Sequence, residues 1–152
     1  MKKLLLISAF LMLSALGCST LESIGSSIKK NPVAYGVLLQ EGIYQAIKTE
    51  STRSKQLSFA KEMIGGINDV TVWYDSFIDK SQITPDRIDQ YIAEKYTGTN
   101  IRPSRMAAIN FAANEAKRIA LENAGKGSIP ADSVYSLSFL LKNIKIGASY
   151  HL

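Results

Sequence analysis

Cysteine, histidine, tryptophan and proline are all scarce in this 152-residue chain. It has one Cys, one His, one Trp and four Pro. A single cysteine, Cys18, rules out an internal disulfide framework. With one cysteine and one histidine (His151, second from the end), the clustered Cys and His ligands of an ordinary zinc site are missing, and so is a Cys-His nucleophile pair. A Ser-His-Asp arrangement would rest on His151, in a segment expected to be a loose tail. Gly65-Gly66 lacks the Lys and Ser/Thr of a phosphate-binding loop, and there is no D-x-D-x-D-G calcium loop. The expectation is therefore a protein with no cofactor and no metal. Beyond the first residues no apolar run approaches the roughly 20 needed to span a bilayer.

The start of the chain is the most informative stretch. Lys2 and Lys3 precede an apolar run from Leu4 to Leu13, followed by Ser14, Ala15, Leu16, Gly17 and Cys18. A basic end, a short apolar segment and small residues before a cut site read as a secretory signal. Ala15-Leu16-Gly17-Cys18 resembles the lipobox of bacterial lipoproteins. That resemblance covers the signal and its cysteine alone, and residue 15 holds Ala where the pattern usually has Leu. It implies cleavage before Cys18, acylation of that cysteine, and a membrane-lipid anchor. Acylation also accounts for a lone thiol in an oxidising compartment, where free cysteines are a liability. By the same resemblance Ser19, where an Asp would favour inner-membrane retention, implies the outer membrane with the body on its periplasmic face. An ordinary signal peptide leaving a plain thiol, or an uncleaved anchor, are the alternatives.

Cleavage would lower the formal charge from +5 to +3 by removing Lys2 and Lys3. That is mild, and no nucleic-acid partner is expected. Lys29 and Lys30 read either as solvated tether charges or as contacts to anionic headgroups. The basic C-terminal third, with Lys117, Arg118, Lys126, Lys142 and Lys145, reads as a solvated surface or a site for an acidic partner.

The rest divides into a lipidated cysteine and tether over 18–31, a helical domain over 32–147 and a tail over 148–152. The tether carries Leu21, Ile24 and Ile28 at helical spacing and ends at Asn31-Pro32, a breaker that equally serves as cap and first residue of a helix. From Pro32 to about Glu50, Val33, Val37, Leu38, Ile43, Tyr44 and Ile47 fall largely on one face. Gly36 and Gly42 mark a close helix approach or a kink. Lys55 to Lys80 carries two adjacent stripes. One is Leu57, Ala60, Ile64, Ile67, Thr71, Tyr74 and Ile78; the other is Phe59, Met63, Val70, Trp73 and Phe77. Two stripes predict a central, broadly buried helix with Trp73 in the core. Gly65-Gly66 within it is either a kink or a turn between two helices, and Val70 to Tyr74 also has strand propensity. Thr84-Pro85-Asp86 opens a helix that Gly98 stops. Pro103 opens an alanine-rich one that Gly125 and Gly127 stop. Ser128 and Pro130 start the last, with Val134, Leu137, Leu141 and Ile144 at helical spacing. Tyr135, Leu137 and Phe139 alternate as a strand would.

The expected fold is all-α, a small irregular bundle of about five helices behind a lipidated tether. The expected function is non-enzymatic: a periplasmic interaction or accessory protein of the envelope, such as an assembly factor or a modulator or exclusion factor for an outer-membrane protein. Its partner would be another envelope protein, met through Tyr135 and Phe139 on the last helix, unless those rings are core. The alternative is an envelope enzyme acting on peptidoglycan or glycans with the pairs Asp75/Asp79 or Asp86/Asp89. Otherwise those pairs form a solvated helix face, and Trp73, Tyr74 and Phe77 read as core rather than as a ligand platform.

Overall fold

A computed structural model of the chain describes residues 29–77 and 79–152. The expected signal, Cys18, Ser19, most of the expected tether and Ile78 lie outside the described residues. Within them are five α-helices and no strand. These are α1 (Pro32–Lys48), α2 (Arg53–Asp75), α3 (Pro85–Tyr96), α4 (Pro103–Glu122) and α5 (Ala131–Ser149). A single 3₁₀ turn, Lys80–Gln82, sits between α2 and α3. No helix among the described residues is long and apolar enough to cross a membrane.

Most helix boundaries follow local chemistry. Asn31, Thr52 and Thr84 each accept a bond from a first-turn amide, and proline opens α1, α3 and α4. Gly98, Gly125 and Gly127 have positive φ in the loops after α3 and α4. Three boundaries differ from the sequence reading. α2 ends at Asp75, short of Lys80, which falls in the 3₁₀ turn. Pro130, not Ser128, precedes the first turn of α5. The last helix continues to Ser149, and His151 is 2% exposed, so 148–152 is not a loose tail.

α2 is one continuous helix through Gly65-Gly66, so neither the two-helix turn nor the strand at Val70–Tyr74 is formed. The glycines serve packing. A Cβ at Gly66 would lie 2.6 Å from the Arg105 carbonyl oxygen and 3.0 Å from the Ala108 Cβ. That is below any real contact distance, so α4 approaches where α2 has no side chain. Ala108, Ile109, Ala112, Ala113, Ala116, Ile119 and Ala120 of α4 are buried there. From α2 come Ala60, Met63, Ile67, Val70 and Tyr74. Small residues let backbones close, and dispersion over the shared surface holds them. The two helices run the same way: Glu62 meets Arg102, and Gly66 meets Ala108 and Ile109. α3 returns antiparallel beside both, with Trp73 on Tyr91 and Asp69 by Lys95.

Trp73 is half-buried at the edge of the core rather than inside it. Its ring stacks on Tyr91 at 4.7 Å and meets Phe77 edge-on at 5.0 Å. The second stripe of α2 is thus split, with Met63 and Val70 buried and Phe59, Trp73 and Phe77 at the rim.

α1 and α5, the first and last helices, form a second pair. Their register advances together: Gly36 meets Asn143, Gln40 meets Asn143 and Gly147, and Tyr44 meets His151. Gly147 is the close point, where a Cβ would fall 2.5 Å from the Gln40 carbonyl oxygen. Leu137, Leu141 and Ile144 of α5 turn into the core. On α1 only Ile43 and Ile47 of the expected apolar face are buried. Val33, Val37 and Leu38 are exposed, because among the described residues only the other side of that helix has neighbours.

Candidate functional site

The strongest concentration of charge lies in a groove between α2 and the α3–α4 connection. It encloses about 420 Å³ and is lined by Glu62, Asp69, Lys95, Tyr96, Arg102 and Arg105, among others. Asp69 is its hub. Arg105 donates from Nε and Nη2 to Asp69 Oδ2 at 3.2 and 2.8 Å, and Lys95 Nζ reaches Oδ1 at 3.5 Å. Tyr91 donates to the Asp69 carbonyl oxygen at 2.8 Å and accepts from Lys95 at 2.9 Å. At the groove's mouth Arg102 meets Glu62 at 3.5 Å and donates to Ser58.

The glycine pair sets this arrangement. Gly65 leaves room for the Arg105 guanidinium, whose Cζ would sit 3.3 Å from a Cβ there. The arginine folds along α2 to a carboxylate one turn on. Burial pushes the Asp69 carboxyl up. The Arg105 hydrogen bond, with the charges of Lys95 and Arg105 and a bond from Tyr96, outweighs it and holds the group below its ordinary value. Lys95 is raised by its bond to Tyr91, against partial burial, and Arg105 by its bond to Asp69. Burial, with Tyr91 and Asp69 alongside, pushes the Tyr96 hydroxyl well up. A carboxylate held ionised by two cations is poorly suited to proton transfer. Three cations against two acids leave the groove one positive charge in excess.

A second cleft of about 500 Å³, near Ile83, Pro85, Asn123 and Ile129, has no titratable side chain in its lining. No group of three or more His, Cys, Asp or Glu that could hold a metal occurs among the described residues.

The residues singled out by sequence fall elsewhere. Asp75 is exposed at the end of α2, and Asp79 caps the 3₁₀ turn through the Ser81 amide. Asp89 pairs with Lys117, and Asp86 is exposed in the first turn of α3. Neither carboxylate pair lines the charged groove. Tyr74 is buried, and that burial, with the Asp75 charge, pushes its hydroxyl up to about 12. The basic C-terminal third is largely paired: Lys117 with Asp89, Arg118 with Glu115 and Lys145 with Asn68. His151 Nε2 lies 2.9 Å from the Tyr44 carbonyl oxygen, and its ring stacks on Tyr44 at 4.6 Å. That assigns the proton to Nε2 and a packing role to the ring. Tyr135 and Phe139 lie one turn apart on α5, their rings 6.1 Å from each other. Tyr135 is exposed with Lys29 above it, while Phe139 is half-buried against Gly36. The groove itself escaped sequence reading. Tyr91 and Lys95 share a helix face four apart, but nothing in the sequence links Asp69 to Arg105, 36 residues on.

No protein-family model, no curated protein and no solved structure matches the chain.

Proposed function

We propose that the protein is a membrane-anchored lipoprotein of the periplasmic face of the outer membrane, acting by binding another envelope protein rather than by catalysis. The observation that carries this is the Met1–Cys18 signal with Ala15-Leu16-Gly17-Cys18 at its end. Several acyl chains on one residue give firm anchoring, where a single one is marginal. The non-enzymatic part draws support from the charged groove, whose carboxylates are tied up in ion pairs. Tyr135, exposed, and Phe139 behind it are the proposed contact to the protein partner.

Labelled palmitate supplied to a Gram-negative host expressing the protein tests the reading. Wild type takes up label and fractionates with the outer membrane. Cys18→Ser takes up none and appears as unprocessed precursor or soluble periplasmic protein. Unlabelled wild-type protein would overturn the lipoprotein reading, and label in the inner-membrane fraction would overturn the placement drawn from Ser19.

A further inference from the structure

The outward side of α1 gathers several exposed apolar side chains within two turns. Val33 and Val37 stand four apart on one face, and Ala34 and Leu38 four apart on the next. Val33 is 75% exposed, Val37 57% and Leu38 70%. The other exposed apolar side chains do not gather this way. Val72 and Leu121 stand on different helices, and Tyr150 donates its hydroxyl to Gln40. Scattered residues of that kind are ordinary, whereas a contiguous patch marks a binding surface.

Charge and chain length point to one occupant. No acid occurs from Lys29 to Gln40, and Lys29 and Lys30 are both exposed at the start of the patch. The nearest acid across the seam, Asp132, is engaged by Lys29, and Glu41, the first acid on α1, accepts from Gln45. Tyr35, in the same two turns, is also exposed, an aromatic with a polar tip among the apolar side chains. Apolar side chains bordered by lysines and tyrosine suit the boundary between headgroups and acyl chains. Thirteen residues, 19–31, separate Cys18 from this helix. Fully extended they reach about 45 Å. A patch held that close to its anchor meets the bilayer at high effective concentration.

We infer that the first two turns of α1 lie on the lipid surface, with Val33, Val37 and Leu38 entering the interface and Lys30 over anionic headgroups. This rests on the reading that Cys18 is acylated. The body is then held against the membrane in one orientation. The turn region between α2 and α3 and the charged groove belong to other helices and stay accessible from the periplasm.

The test uses wild-type protein purified from membranes and reconstituted in phosphatidylethanolamine vesicles with a minor share of phosphatidylglycerol and a photoactivatable phospholipid. After illumination and trypsin, lipid adducts are expected on peptide 31–48, centred on residues 33–38. The double variant Val37→Glu, Leu38→Glu keeps its thermal midpoint and loses those adducts several-fold. Adducts confined to the Cys18 peptide would overturn the inference while leaving the anchor intact. So would a midpoint that falls by many degrees, or a wild-type dimer in detergent that the double variant converts to monomer. The mass of the N-terminal peptide reports acylation separately. An unmodified Cys18 with adducts still on 31–48 would remove the lipoprotein reading and support the surface contact.

Discussion

Two pairs of parallel helices close on glycine in this molecule, and they close differently. Where α2 meets α4, Gly66 admits the Arg105 backbone and the seam is filled by alanine and isoleucine. Where α1 meets α5, Gly147 admits the Gln40 backbone, but the seam is partly polar. Asn143 accepts from Gln40 at 2.7 Å and donates to the Phe139 carbonyl at 2.8 Å, and His151 lies against Tyr44. α2 and α4 have neighbours on several sides, whereas α1 packs mainly on α5. The same device, a missing Cβ, thus builds an apolar centre in one place and a partly polar flank in the other. On the flank Val33, Val37 and Leu38 of α1 stay exposed among the described residues.

The comparison can be strained at each seam. Gly66→Ala should be the most damaging, because neither helix can retreat without opening the core. We expect a loss of about 3 kcal/mol by chemical denaturation, net of the gain in helix propensity. Gly147→Ala meets backbone equally close, yet α1 can swing outward, so about 1.5 kcal/mol is expected. Equal losses would show that α1 is as confined as α4. Asn143→Ala removes the polar tie of the flank and strips Gln40 of its acceptor. It should cost about 1 kcal/mol in the same measurement.

The smallest effect belongs to Asp69. Asp69→Asn breaks a pair whose cationic ends are partly in solvent, worth about 0.5 kcal/mol at neutral pH. The carboxyl is lowered in the fold, so its contribution is present above the ordinary value of 3.8 and lost as pH falls through the lower folded value. Wild-type and variant midpoints should therefore converge in acid. A gap that persists at the lowest pH would assign the effect to packing instead.

Local chemistry made much of the fold legible. Asn31-Pro32, Thr84-Pro85-Asp86, Pro103 and the glycines at 98, 125 and 127 mark helix ends by conformational preference alone. The periodicity of α2 and α4 is readable because both are buried broadly. What could not be read depends on which helices become neighbours. Val33, Val37 and Leu38 have the spacing of a core face, but among the described residues no helix arrives to cover them. Gly65-Gly66 and Gly147 look like breakers, and are contact points only in the presence of Arg105 and Gln40. The last residues look like a tail because His151 gives no hint of Tyr44, 107 positions earlier. The groove is invisible for the same reason, since its charges come from three elements.

Native-state hydrogen exchange on the Cys18→Ser protein tests the contrast between the two seams most directly. Amides of α2 and α4 around residues 60–74 and 108–120 should exchange only with global unfolding, and those of residues 35–40 by a cheaper, local opening. Protection of residues 35–40 equal to that of the α2–α4 pair would contradict the account.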